Sequence, residues 1–223
     1  MKNKLFLLTI VVIISLFFCV SCGKDRKYNE DEVIKAAEEL IKKSEMLNDI
    51  YYGKGIDYIK DESTADGAYY EADYISLNRF GVENINDIKN MTYECFTKNL
   101  SSSMINTILT SVSDDDGIQR YSRYYQKYNA LDNKEECIMV YKDAIVYLTD
   151  DVVYDYSSIR VSRVEKEEVF VKISVSVTDK EKRTQTKEIE ISLLEESDGW
   201  RINSPTYTKY VDREYYEDLQ KNK

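Results

Sequence analysis

The sequence contains no histidine and a single proline, Pro205, among its 223 residues. Without histidine the chain cannot form Ser-His or Cys-His nucleophile pairs, histidine general acids and bases, or histidine-ligated zinc sites. Catalysis would have to use carboxylates, lysine or tyrosine, and no spacing among the 41 acidic residues singles out a catalytic pair. We therefore expect a protein without enzymatic activity, cofactor or metal, and keep a carboxylate enzyme as the alternative.

Basic residues are also in the minority, since 31 Lys and Arg face 41 Asp and Glu, giving a formal net charge of −10. A protein that binds nucleic acid needs a basic surface to neutralise phosphates. The charge balance therefore argues against nucleic acid as a ligand. It favours a basic or neutral protein as the partner.

The first 22 residues have the pattern of a bacterial lipoprotein signal. Lys2 and Lys4 precede an apolar run from Leu5 to Phe18, and small residues follow before Cys22. The run is shorter than the roughly 20 apolar residues that span a bilayer. We expect residues 1–21 to be the signal peptide and Cys22 to be the lipidated residue, with palmitate among its acyl chains. The lipid would anchor the chain to the outer face of the cytoplasmic membrane. Secretion without lipid and an uncleaved anchor are the alternatives.

The rest of the chain has no repeat, no low-complexity block and no Pro/Gly-rich linker. We expect a short polar tether over residues 22–28, one α+β domain over residues 29–210 and a charged C-terminal tail over residues 211–223.

Hydrophobic periodicity predicts helices first and strands afterwards. Apolar residues at helical spacing predict a long helix from Asn29 to about Gly53 and shorter helices from Asn84 and from Ser101. Aromatic and β-branched residues predict a strand over Tyr69–Leu77. Later alternation predicts a hairpin of residues 138–141 and 144–148, followed by strands over residues 158–164, 169–177, 187–193 and 200–202. We expect an α+β fold with the helices packed on one face of a curved antiparallel sheet.

Two cysteines, Cys95 and Cys137, remain beyond the signal and the anchor. Outside the membrane such a pair can oxidise to a disulfide. The alternative is two separate thiols, because Cys95 lies on the apolar face of a predicted helix and free cysteine packs like a small hydrophobic residue.

Tyrosine is abundant, with 20 residues in local clusters. Tyrosine provides a large contact area at a small entropic cost and is enriched at binding surfaces. Strand propensity and half-buried packing are the alternative explanation. The residues that we expect to form a binding surface are Tyr69, Tyr70, Tyr74, Tyr121, Tyr124 and Tyr125.

The stretch from Glu167 to Tyr207 has the pattern of a long hairpin that ends in DGWRINSP, and an earlier helix pair reads INDIKNMTYECFTKNLSSSMI. The ending resembles the close of extracytoplasmic cystatin/NTF2-like domains. The element order over residues 30–207 is similar to that of peptidoglycan DL-endopeptidase inhibitors and related Gram-positive lipoproteins. This resemblance implies a protein that binds a cell-wall hydrolase and blocks its active cleft without catalysis.

Together these observations predict a lipid-anchored binding protein of the cell envelope that modulates a cell-wall hydrolase. The alternative is an NTF2-like lipoprotein that binds a small ligand between its helices and its sheet. A deep apolar pocket would favour the ligand, whereas a filled core and an exposed tyrosine-rich surface would favour a protein partner.

Overall fold

The computed structural model describes residues 28–109, 112–113, 119–128, 131 and 134–211. The expected signal peptide, Cys22 and residues 212–223 of the tail lie outside these ranges. Helices α1 to α4 span Glu30–Tyr52, Tyr74–Phe80, Ile85–Cys95 and Lys98–Leu109. Strands β1 to β9 span Tyr69–Glu71, Val112–Ser113, Gln119–Arg120, Tyr124–Tyr128, Glu135–Tyr141, Asp151–Glu165, Glu168–Thr178, Thr184–Glu196 and Gly199–Ile202.

Helix α1 confirms the first predicted helix. The side chain of Asn29 accepts a hydrogen bond from the backbone N–H of Asp31, which satisfies one of the free donors at the helix start. Its buried residues recur at the spacing of a single helix face: Val33, Ala37, Leu40, Ile41, Ser44, Leu47, Asn48, Ile50 and Tyr51. This face contacts strands β6 and β9 and helix α3.

Strands β6 to β9 form a four-stranded antiparallel sheet in sequence order, which confirms the predicted meander. Alternate residues of β7 are at most 1% exposed: Val169, Val171, Ile173, Val175 and Val177. Because successive strand residues point to opposite faces, this alternation places one face of the sheet in the core beneath α1. The other face carries cross-strand ion pairs, among them Arg160 with Glu188 and Arg163 with Glu190.

A second antiparallel sheet has the order β1-β5-β4, and β2 and β3 pair as a short ribbon. Strand β4 packs against α3 and α4. Its residue Tyr124, with Ile138 and Val140 of β5, belongs to the same buried core as the long sheet. The fold is thus α+β as expected, but the expectation of one sheet was wrong.

Two local predictions were also wrong. The predicted strand Tyr69–Leu77 stops at Glu71, because the side chain of Asp73 accepts a hydrogen bond from the N–H of Ile75 and starts helix α2. The predicted hairpin partner, residues 144–148, does not pair with β5. Its backbone instead reaches the end of α1, where the N–H groups of Tyr147 and Leu148 both donate to the carbonyl oxygen of Tyr52.

The C-terminal end of α1 is held by a buried arginine from the start of β4. Arg123 is 8% exposed, and its Nη2 donates to the carbonyl oxygens of Gly53 at 2.6 Å and Lys54 at 2.8 Å. Its Nη1 donates to the carbonyl oxygen of Tyr51 at 3.2 Å. The last turn of α1 has no basic residue of its own. Arg123 therefore supplies the positive charge that a helix C-terminus favours.

The Tyr124 hydroxyl completes this contact. It accepts hydrogen bonds from Nε of Arg123 at 3.0 Å and from the N–H of Ile56 at 3.1 Å, and donates to the carbonyl oxygen of Ile50 at 3.1 Å. We call Arg123, Tyr124 and the carbonyl groups they bind the helix clasp. Gly55 passes directly over it with φ of +72°, and a Cβ there would overlap the Tyr124 hydroxyl.

Gly55→Ala tests the clasp, with Gly67→Ala as the matched control. Both glycines have positive φ, but a Cβ at Gly67 meets nothing within 4 Å. We expect Gly67→Ala to lower the free energy of unfolding by about 1–2 kcal/mol through backbone strain alone. Gly55→Ala should cost about 1–3 kcal/mol more, because it also displaces Tyr124. Urea unfolding measures the free energy of unfolding of both variants. Equal losses in the two would contradict the contact between Gly55 and the helix clasp.

Candidate binding surface

Tyrosine rings collect on the outward face of the three-stranded sheet. In the register of this sheet Tyr69 of β1 lies opposite Tyr141 of β5, and Tyr125 of β4 lies opposite Met139. Because side chains alternate along a strand, Tyr69, Tyr125 and Tyr141 share the face opposite to that of buried Tyr124. Tyr121, three residues before β4, joins them. We call these four residues the tyrosine surface.

The four rings contact one another. The Tyr69 ring meets those of Tyr125 and Tyr121 edge to face, with centroids 4.8 and 6.2 Å apart. The Tyr121 and Tyr141 rings stack at 5.1 Å with an interplanar angle of 27°. Such edge-to-face and stacked pairs are favourable beyond the area they bury. The rings therefore fix one another in place and form a pre-organised surface.

Two of the four hydroxyls donate hydrogen bonds, one to a carboxylate and one to a carbonyl oxygen. The Tyr125 hydroxyl donates to Oδ2 of Asp66 at 2.5 Å, and the Tyr69 hydroxyl donates to the carbonyl oxygen of Ser122 at 2.8 Å. Partial burial, then the Asp66 carboxylate, raises the pKa of Tyr125 above its ordinary value. Burial also raises the pKa of Tyr69. Both phenols are thus neutral hydrogen-bonding groups rather than nucleophiles at physiological pH.

The tyrosine surface contains both a fully buried neighbour and an accessible rim. Met139, on the same face, is fully buried at 0% exposure, whereas the side chain of Tyr121 is 48% exposed. Tyr69, Tyr125 and Tyr141 are half-buried. Rigid aromatic rings beside the buried Met139 offer contact area at little entropic cost, so this face is suited to binding.

The structure brings together three of the six predicted surface residues, Tyr69, Tyr121 and Tyr125. Tyr70 lies elsewhere, since its ring stacks on Tyr58 at 5.3 Å and its hydroxyl donates to Glu62 at 2.6 Å. Tyr74 is 72% exposed in the first turn of α2.

Tyr124 was wrongly predicted to lie at the surface. It is fully buried, because its hydroxyl is satisfied within the helix clasp and its ring points into the core.

Sequence reasoning missed Tyr141 and Arg123. Tyr141 ends the predicted strand 138–141, where alternation places it on the same face as Met139, so the pattern contained a usable signal. The sequence around Arg123 contains no such signal, because the carbonyl groups that it binds at the end of α1 lie about 70 residues earlier in the chain.

Cys95 and Cys137 are free thiols rather than a disulfide. Cys95 is buried at the end of α3, and its Sγ donates to the carbonyl oxygen of Leu40 at 3.3 Å. Cys137 lies half-buried in β5 near Met139. Of the two alternatives that the sequence leaves open, the structure therefore shows two separate thiols rather than a disulfide.

A small cavity of about 130 Å³ lies away from the tyrosine surface, between α1, α4 and the segment after β9. Its walls are mainly apolar and aromatic. They include Tyr52, Phe96, Leu100, Met104, Pro205 and Tyr207.

Burial of the Cys95 thiol should lower the free energy of unfolding at alkaline pH. Burial raises the pKa of Cys95 from its ordinary value of 9.0 to about 12. Above pH 9 the unfolded chain therefore releases a proton that the folded chain retains. The free energy of unfolding should fall by up to about 1.4 kcal/mol per pH unit from this group.

Urea unfolding between about pH 8 and pH 10 checks this prediction, and Cys95→Ala should flatten the dependence. Cys137→Ala, which removes the half-buried thiol, should retain most of it. The same steepness in Cys95→Ala as in the wild type would assign the loss to other groups.

Comparisons with protein-family models, with curated proteins and with solved structures each find no match to this chain. Among the helices of the described ranges, none is long and apolar enough to cross a membrane. In the same part of the chain no group of three Cys, Asp or Glu residues is placed to hold a metal ion.

Proposed function

We propose that this protein is a lipid-anchored binding protein on the outer face of the cytoplasmic membrane. It binds a protein partner of the cell envelope through the tyrosine surface and acts without catalysis. The partner class that the resemblance implies is a cell-wall hydrolase. The observation that carries the proposal is the set of four mutually packed tyrosine rings with an accessible rim.

The chemistry of this surface suits a basic or neutral protein. The Asp66 carboxylate accepts a hydrogen bond from the Tyr125 hydroxyl. Burial raises the pKa of the Cys137 thiol, and the nearby Glu71 carboxylate raises it further. Aromatic faces beside carboxylates attract Lys and Arg side chains through cation–π and ionic contacts. The net charge of −10 supports the same preference over a longer range.

The position of the tyrosine surface relative to the anchor also supports the proposal. Tyr28 packs its ring on Trp200 at 5.2 Å, close to the start of α1. Cys22 is six positions before Tyr28, so this stretch can span at most about 20 Å. The helix clasp holds the tyrosine-bearing sheet at the other end of α1, whose 23 residues extend about 34 Å. Tyr28, the first described residue, and the proposed docking face thus lie at opposite ends of α1.

The small size of the cavity beside α1 favours a protein partner over the small-ligand alternative. Sites for drug-sized molecules enclose about 300–1,000 Å³. The cavity beside α1 encloses only about 130 Å³. It also opens between α1, α4 and the segment after β9, rather than between the helices and the long sheet.

The proposal extends to the type of α+β fold. A long N-terminal helix across the buried face of an antiparallel meander is the arrangement that an NTF2/cystatin-like domain has. We propose this assignment for α1, α3 and strands β6 to β9. The tyrosine-bearing sheet of β1, β4 and β5 is then an addition to that framework.

Removal of two rings of the tyrosine surface should weaken partner binding. With the full-length chain as bait in envelope extract, we expect the wild type to retain a wall hydrolase and to slow its release of soluble peptidoglycan fragments. Tyr121→Ala combined with Tyr125→Ala should weaken both effects at least about tenfold, since aromatic anchors dominate interface energies.

The matched control is Tyr74→Ala combined with Tyr93→Ala. These two side chains are 72% and 44% exposed and lie outside the tyrosine surface. The control should bind and inhibit like the wild type. Equal retention by all three proteins, or retention of no hydrolase by the wild type, would refute the proposed function.

The anchor is tested separately. Cells that express the wild type should incorporate labelled palmitate into the protein, whereas Cys22→Ala should remain unlabelled and lose membrane association. Cys95→Ala serves as the control, because its thiol is buried in the folded domain. Equal labelling of wild type and Cys22→Ala would refute lipidation at this residue.

A further inference from the structure

The cavity beside α1 is lined mainly by apolar and aromatic side chains. Its apolar residues are Phe96, Leu100, Met104 and Pro205. Tyr52 and Tyr207 also line it, and their rings pack against each other with centroids 5.1 Å apart. Three of its nine lining residues are therefore aromatic. Aromatic side chains favour stacked or edge-to-face contact with another ring.

The volume of the cavity limits the size of an occupant. An apolar cavity of about 150 Å³ in another protein stays dry and binds benzene. This cavity, at about 130 Å³ and partly open, has room for a single six-membered ring with a small substituent. A fused or multi-ring ligand would require a larger site.

The charge of the lining limits the chemistry of the occupant. None of the nine lining residues is charged, although 32% of the chain is. The buried polar groups already have partners, since Nδ2 of Asn48 donates to Oγ1 of Thr206 at 2.9 Å. The Tyr154 hydroxyl donates to the carbonyl oxygen of Thr206 at 2.7 Å. A charged occupant would lose its hydration here without an opposite charge to replace it.

We propose that this cavity is a binding site for a small molecule with one uncharged aromatic ring. The site is separate from the tyrosine surface and does not depend on the function proposed for it. The cavity lies next to the helix clasp at the end of α1, where Tyr52 lines the cavity and the Tyr51 carbonyl oxygen accepts a hydrogen bond from Arg123.

Methionine methyl signals of the full-length chain, labelled with ¹³C, test this proposal with p-cresol as the probe. Met104 lines the cavity, whereas Met139 lies on the tyrosine-bearing sheet. We expect a saturable shift of the Met104 signal and no shift of the Met139 signal. Benzoate, which has a ring of the same size and a negative charge, should bind at least about tenfold more weakly.

Two variants that block the cavity complete the test. Leu100→Trp fills it from within, and Ser103→Trp closes it from an exposed position that tolerates a large side chain. Each should weaken p-cresol binding at least about tenfold, whereas Leu131→Trp, at a residue 97% exposed, should not. If Leu100→Trp does not fold, Ser103→Trp decides. A Met104 shift that does not saturate, that persists in Ser103→Trp, or that benzoate reproduces would overturn the proposal.

Discussion

The helix clasp is the contact on which the arrangement of the molecule depends. Arg123 is buried with its charge directed at carbonyl oxygens of the α1 terminus, and none of its hydrogen bonds goes to a carboxylate of the described chain. A buried cation is costly unless its donors are satisfied. Here the free carbonyl groups of the helix end and its negative dipole provide that compensation. Loss of the arginine would leave both the carbonyl groups and the Tyr124 hydroxyl short of partners.

The clasp connects the two sheets through one helix. Helix α1 covers the buried face of the long meander, and Arg123 and Tyr124 fix strand β4 to its end. Residues 144–148 pass the same point, since Nη1 of Arg123 also donates to the carbonyl oxygen of Ile145 at 3.4 Å. The position of the tyrosine surface therefore depends on this polar contact as well as on the core packing of Tyr124, Ile138 and Val140, whereas the long sheet is held mainly by apolar packing.

The parts of the fold that the sequence predicted are those governed by a regular local pattern. Strand β7 alternates Val171, Ile173 and Val175 with polar residues, and only a strand with one buried face satisfies that period. The same logic failed over Tyr69–Leu77, where a single capping side chain, Asp73, outweighed the strand propensity of the residues around it. It failed again over residues 144–148, where a long-range contact with Tyr52 replaced the expected hairpin. Neither interaction has a periodic signature.

The neighbours Tyr124 and Tyr125 show why the binding surface could be only partly predicted. They are adjacent in sequence and identical in chemistry, yet the strand directs one into the core and the other outward. Which one is buried depends on which hydroxyl can be satisfied in the interior. Tyr124 finds Arg123, Ile56 and Ile50 there, all at the α1 terminus, and Tyr125 is thereby directed to Asp66 at the surface. The buried tyrosine thus determines which face of the strand carries the rings that a partner would meet.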